Sequence, residues 1–150
     1  MEPTEYLLSA QPFVVRRRVR WGECDPAGVV YTPRFTDYLV SAASLFHEHL
    51  FAQQPPGFRE ALGVDTPCKG LSLVFEGSLW PGQAFDMAVR VSGVRTASYD
   101  LQVRATRPEG DAVFSGVFSP ICIARGDRRG SIPIPDALRT LLLRAQETTP

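Results

Sequence analysis

One long apolar helix pattern, followed by consecutive strand patterns, limits what this 150-residue chain can fold into. From about Pro33 to Leu50 the apolar residues recur at helical spacing, and the central two turns carry few strongly polar side chains. Such a helix has no broad polar face to turn toward water. We therefore expect most of its circumference to be covered by the rest of the chain.

Segments in which apolar residues alternate with polar ones predict strands that supply this cover. One of them, Phe13–Trp21, precedes the helix, and four follow it at about 71–79, 85–91, 99–105 and 113–124. The short turns between consecutive strands favour antiparallel pairing. The prediction is an α+β fold with an antiparallel sheet of about five strands around one central helix. A further helical pattern covers Pro135–Gln146.

Three consecutive arginines, Arg16 to Arg18, interrupt the first strand pattern. The alternation predicts that Arg17 shares one face of the strand with the apolar residues Phe13, Val15, Val19 and Trp21. Arg16 and Arg18 then lie on the opposite face. A half-solvated strand and a dedicated anion site both fit this pattern, and the first is the simpler interpretation.

Composition excludes several classes of protein and suits a single domain spanning residues 1–150. Sixteen basic and sixteen acidic residues give zero net charge, which argues against a nucleic-acid partner. The three widely spaced cysteines indicate neither a metal site nor a disulfide framework. There is no signal-peptide pattern and no apolar run of about 18 residues, so we expect a cytoplasmic protein without a membrane partner.

The residues most able to carry chemistry precede the long helix. Asp25 lies in the turn sequence Asp25-Pro26-Ala27-Gly28, which leads directly to that helix. A helix N-terminus offers unpaired N–H groups and partial positive charge, so it can stabilise an oxyanion beside a reactive carboxylate. On local sequence alone, Asp25 could equally be an ordinary turn residue.

The other reactive side chains give weaker signals. His47 and His49 are two residues apart on a helix, so they face different sides and cannot form a metal pair, and surface or boundary positions are expected for both. Cys24 has no neighbouring histidine in the sequence that would activate it as a nucleophile.

The stretch Val19-Arg20-Trp21-Gly22-Glu23-Cys24-Asp25-Pro26-Ala27-Gly28-Val29-Val30-Tyr31-Thr32-Pro33-Arg34-Phe35 resembles the signature of the 4-hydroxybenzoyl-CoA thioesterase family. The resemblance extends in segment order over nearly the whole chain. It implies the hot-dog fold, an antiparallel sheet wrapped round one long helix. It also implies a homodimer or a dimer of dimers with active sites at the dimer interface.

The family resemblance assigns roles to individual positions of this sequence. It implies that Asp25 attacks the thioester or activates water, and that the backbone N–H of Thr32 polarises the thioester carbonyl. Tyr31 and Phe35 are the expected neighbours of the acyl group. No cofactor is implied, because coenzyme A is part of the substrate.

Two further expectations concern the substrate, an acyl-CoA. By analogy with the family, its phosphates would meet the basic residues Arg95, Arg125, Arg128 and Arg129. The position where the hydroxybenzoyl enzyme has a carboxylate for the ring hydroxyl is Val40 here, and Asp37 lies nearly one turn earlier. An apolar pocket favours an unsubstituted aromatic or a medium-length aliphatic acyl group.

Three alternatives share the predicted fold. The first is a thioesterase acting on acyl groups held by a carrier protein, which the arginine-rich loop would contact. The second is a hydratase or dehydratase, disfavoured because the Asp25 segment lacks a histidine. The third is an acyl-binding module without enzymatic activity.

Overall fold

The computed structural model describes residues 3–127 and 129–148. In chain order the elements are β1 (Glu5–Ala10), β2 (Phe13–Arg18), a 3-10 turn (Trp21–Glu23), α1 (Arg34–Ala52), α2 (Phe58–Ala61), β3 (Val64–Asp65), β4 (Cys68–Phe75), β5 (Ala84–Val94), β6 (Tyr99–Thr106), β7 (Ala112–Pro120), β8 (Ile123–Ala124) and α3 (Asp136–Thr148). None of the helices in these ranges is long and apolar enough to cross a membrane.

The central feature is a six-stranded antiparallel sheet in the order β1-β2-β5-β6-β7-β4, with β3 and β8 forming a separate pair. Helix α1 contacts β5, β6 and β7. The apolar side chains of the helix and of these strands form one continuous core. The predicted α+β arrangement of a sheet around a central helix is confirmed.

Helix α1 lies very close to β7 at Gly116. A Cβ atom built on Gly116 would lie 2.3 Å from Leu39 Cδ1 and 2.6 Å from the Ser72 carbonyl oxygen, which is closer than real Cβ contacts. Ala42 and Ala43 of the same helix are fully buried. Small residues on both elements therefore set how closely the helix approaches the sheet.

The strand boundaries differ from the sequence prediction at both ends of the sheet. Strand β1 adds a sixth strand that the sequence pattern did not indicate. The predicted last strand at 113–124 is divided, because β7 ends at Pro120 and β8 pairs with β3 instead. Proline has no N–H with which to continue the ladder, which explains the break.

The inward face of β2 largely follows the predicted alternation. Phe13, Val15 and Val19 are buried, and the Arg17 side chain beside them is only 16% exposed. The prediction is wrong for Trp21, which is 81% exposed. The chain enters the 3-10 turn at that residue, so the alternation of the strand no longer applies.

Candidate active site

A tightly closed loop, Cys24–Val30, carries Asp25 and is called the Asp25 loop below. The Asp25 N–H donates to the Val29 carbonyl at 2.9 Å, and the Gly28 N–H donates to the Asp25 carbonyl at 2.9 Å. Gly28 has a φ of +82°, which glycine adopts readily. The Val30 N–H donates to the Leu79 carbonyl at 2.8 Å, so the far end of the loop is tied to the segment before β5.

The Asp25 side chain has one oxygen engaged in the turn and one without a partner among the described residues. Oδ1 accepts the Ala27 N–H at 2.8 Å, which is the turn interaction expected of aspartate in this sequence. The side chain is partly buried. The turn bond therefore fixes the orientation of the carboxylate and leaves Oδ2 available to a ligand.

The start of α1 follows this loop directly. The Phe35 N–H donates to the Thr32 carbonyl at 3.2 Å, and Pro33 at the N-cap provides no side-chain cap. No described backbone or side-chain oxygen accepts the N–H of Thr32, which is an exposed residue. Thr32 lies one residue before the N-cap Pro33, so this unpaired donor stands just ahead of the helix, near the positive end of the helix dipole.

Glu23 is an important residue that the sequence reasoning did not single out. Its carboxylate accepts hydrogen bonds from Arg17 Nη2 at 2.5 Å, from the Tyr38 hydroxyl at 3.0 Å and from the Arg20 N–H at 2.9 Å. Burial alone would raise the pKa of Glu23, but these partners outweigh it and the pKa is lowered. The signal available in the sequence was Arg17, a cation on an apolar strand face that requires a carboxylate partner.

The predicted acyl-pocket residues differ widely in exposure. Tyr31 is half exposed beside the Asp25 loop, and Val40 is partly buried. Phe35 is 5% exposed and belongs to the core, where its ring centroid lies 5.2 Å from that of Phe75. Phe75, on β4, is 50% exposed and was not among the predicted residues.

The carboxylate nearest in sequence to the Val40 position lies on the outside of the helix. The Asp37 side chain is 65% exposed and pairs with Arg34 at 3.3 Å. The start of α1 therefore turns this charge toward solvent.

The three described arginines among the predicted phosphate-binding residues, Arg95, Arg125 and Arg129, make hydrogen bonds and ion pairs away from Asp25. Arg95 forms a two-point ion pair with Asp100 at 2.7 and 2.8 Å, and its Nε donates to Ser98. Arg125 donates to three backbone carbonyls of the 59–64 segment. Arg129 pairs with Asp127 but is 91% exposed, and Arg128 lies outside the described residues.

Both histidines occupy the boundary positions expected of them, since each is partly buried. His47 Nε2 lies 2.7 Å from the Tyr99 hydroxyl oxygen, and the ring stacks on Phe51. Burial, with a smaller effect of the Arg59 charge, lowers the pKa of His47 to about 4. His49 packs instead against Phe13 and bonds to Gln53, so the two histidines face different sides as predicted.

Comparison with solved structures confirms the predicted hot-dog fold. A hypothetical protein from Thermus thermophilus is 27% identical, with 88% of this chain and 98% of that chain covered and a TM-score of 0.75. A thioesterase-superfamily protein from Jannaschia sp. CCS1 is 25% identical, with 100% and 99% covered and a TM-score of 0.77. A 1,4-dihydroxy-2-naphthoyl-CoA thioesterase from Synechocystis shares the fold at 18% identity, with 87% and 95% covered and a TM-score of 0.71.

No curated protein sequence matches the chain. The family model described as the thioesterase-like superfamily matches residues 19–142, which begin directly after β2 and include the Asp25 loop, α1 and strands β3 to β8. The chain therefore belongs to the thioesterase-like superfamily.

Proposed function

We propose that the chain hydrolyses an acyl-CoA thioester to the free acid and CoA. The observation that carries the proposal is that one oxygen of Asp25 and the N–H of Thr32, just before the helix, both lack a partner among the described residues. Membership of the thioesterase-like superfamily supports thioester hydrolysis in general. The resemblance of residues 19–35 to the 4-hydroxybenzoyl-CoA thioesterase family supports the finer assignment to acyl-CoA.

Two routes use the same residues. In the first, an Asp25 oxygen attacks the thioester carbon, the C–S bond breaks, and CoA leaves as a thiolate that takes up a proton from solvent. Water then cleaves the mixed anhydride to regenerate the Asp25 carboxylate and release the acid. In the second, Asp25 removes a proton from water as that water attacks the same carbon; the C–S bond then breaks, and the departing CoA thiolate takes up the proton from Asp25, which returns to the carboxylate. In both, the Thr32 N–H donates to the oxygen that becomes negative.

The proposed acyl group is aromatic or of medium length. Tyr31 offers exposed aromatic surface near the helix start, and Phe75 on β4 offers more, with its ring packed against the buried ring of Phe35. Val40 offers no polar partner, and Asp37 faces solvent in an ion pair. The Synechocystis neighbour is itself a thioesterase for a bicyclic aromatic acyl-CoA.

This composition of the pocket leads to a prediction about selectivity. We expect kcat/KM to be about tenfold or more higher for benzoyl-CoA than for 4-hydroxybenzoyl-CoA, because a buried hydroxyl without a partner loses its hydrogen bonds to water. Thiol release from a panel with benzoyl, 4-hydroxybenzoyl, phenylacetyl and aliphatic acyl-CoAs measures this ratio. Preference for 4-hydroxybenzoyl-CoA would contradict the proposed pocket. Absence of hydrolysis across the panel would contradict the proposed function and favour carrier-protein substrates or a binding module.

For the CoA phosphates we propose the arginines at positions 95, 125, 128 and 129. Arg129 is the most exposed of those described, and its ion pair with Asp127 is local to one loop. An exposed pair of this kind is worth little, so a phosphate can replace the aspartate at small cost. Arg95 is held more firmly, since each of its three guanidinium nitrogens already has a partner.

We further propose that the chain forms a homodimer, either alone or as one half of a dimer of dimers. Strand β4 is one edge of the sheet and carries the half-exposed apolar residues Leu71, Val74 and Phe75. An unpaired apolar edge readily pairs with another strand. Light scattering is expected to give two or four times the mass of one chain, and Val74→Lys is expected to weaken the association. A monomer at working concentrations would contradict the dimer.

A further inference from the structure

A largely buried polar network adjoins the Asp25 loop through Glu23. Arg17 on β2 donates to Glu23 through Nη2 at 2.5 Å and to Glu5 on β1 through Nη1 at 3.0 Å. Ser41 on α1 donates to the other oxygen of Glu5 at 2.5 Å. The guanidinium also lies over the Tyr38 ring, with 4.7 Å between Cζ and the ring centroid. The network thus joins β1, β2, the 3-10 turn and α1.

Stability alone is a poor explanation for this network. The side chains of Arg17, Glu5 and Glu23 are only 16%, 15% and 12% exposed, so three charges have lost most of their hydration. Arg17 Nε is buried without a hydrogen-bond partner among the described residues. Apolar side chains of similar volume often stabilise such a site as well or better. A positional role explains why charges are present here.

Glu23 makes contacts through both its side chain and its backbone carbonyl. Its side chain is fixed by Arg17 and Tyr38, and its carbonyl oxygen accepts the Tyr31 N–H at 2.9 Å. Asp25 is two residues after Glu23, and Thr32 is the residue after Tyr31. Glu23 therefore ties the segment that carries Asp25 to the segment that carries Thr32.

We propose that Arg17 and Glu23 are positioning residues that set the distance between the Asp25 carboxylate and the Thr32 N–H donor. This inference rests on the proposed function, because those two groups are its reacting carboxylate and its oxyanion donor. Neither Arg17 nor Glu23 touches the substrate in this assignment. A displacement of about 1 Å between reacting groups is enough to lower a rate by roughly a hundredfold.

The test is Glu23→Gln, which keeps the size of the side chain and an acceptor for Tyr38 but removes the charge that Arg17 binds. We expect kcat to fall by about tenfold to a hundredfold, with KM changed by less than about threefold. The pH of half-maximal kcat should stay in place, because Glu23 transfers no proton. A variant that is only less stable would show the wild-type kcat when assayed well below its melting temperature.

The matched control is Arg16→Gln on the same strand. Arg16 forms a two-point ion pair with Asp86 at 2.7 and 2.9 Å and lies on the opposite face of β2 from Arg17. Its loss removes a comparable charged contact without touching the network. Its kcat is therefore expected to stay within about twofold of wild type.

A second readout is independent of activity. Hydrogen exchange at the Tyr31 and Asp25 amides should be about tenfold faster in Glu23→Gln than in wild type or in Arg16→Gln, because the base of the loop opens more often. Unchanged exchange, or a kcat within about twofold of wild type, would overturn the inference. A displaced pH profile would assign Glu23 a direct role in proton transfer and would also overturn it. An inactive wild type would instead refute the proposed function, and the exchange rates would still decide the role of Glu23.

Discussion

Asp25→Asn is expected to lower kcat by about a hundredfold or more, because an amide is neither a nucleophile nor a base at neutral pH. The substitution leaves the turn intact: the asparagine side-chain oxygen can still accept the Ala27 N–H that Asp25 Oδ1 accepts at 2.8 Å. The melting temperature should therefore stay within a few degrees of wild type. Thiol release from the preferred acyl-CoA measures the loss of activity.

Asp37→Asn is the matched control for this prediction. Asp37 is also a carboxylate near the start of α1, but it is largely exposed and paired with Arg34. Its removal changes the local charge by the same amount and should leave kcat within about twofold, because exposed charges are well screened. Full activity in Asp25→Asn would remove Asp25 from the mechanism, and equal losses in both variants would indicate a general charge effect.

Gly116→Ala is expected to cost about 3 kcal/mol of stability, near the upper end of the usual range for overpacking. The added Cβ meets Leu39 Cδ1, which can rotate away, and the Ser72 carbonyl oxygen, which belongs to the neighbouring backbone and cannot. For a chain of this length such a loss lowers the melting temperature by roughly 6–12 °C. Thermal and denaturant unfolding measure both quantities.

Gly70→Ala is the matched control for the packing argument. Gly70 lies in β4 of the same sheet, and a Cβ there would meet no atom within 4 Å. Its stability should therefore change by no more than about 1 kcal/mol in either direction. Similar losses for both variants would show that strand preference, and not crowding around Gly116, explains the effect.

The main elements could be predicted because their periodicity is local. The spacing of Phe35, Tyr38, Leu39 and Phe46 identifies α1, and all four are buried. Strand β1 was missed because its residues are only partly covered, so no clear alternation exists to detect. The break at Pro120 depends on the pairing of β8 with β3. These strands are far apart in the sequence, so local periodicity does not reveal their pairing.

The candidate site, like the fold, could be predicted only where its residues are close together in the sequence. Asp25 and Thr32 fall within one continuous signature, so a resemblance could point to both. The partners of Glu23 come from residues 17 and 38, and Arg17 is in turn held by Glu5, so their meeting depends on the folded sheet. Likewise, Arg95 looks like a free cation in the sequence, but it lies in the turn that follows β5, where the hairpin brings it to Asp100 on β6.

The contact between Phe35 and Phe75 matters for any redesign of acyl selectivity. Phe35 is buried against the rings of Tyr38, Phe75 and Phe114, so shortening it would open a cavity in the core at a cost of about 3–5 kcal/mol. Phe75 touches the same cluster from β4 but leaves half its surface outside. Its side chain can be exchanged at much lower cost. The strand, and not the helix, is therefore where a directed-evolution library is best placed.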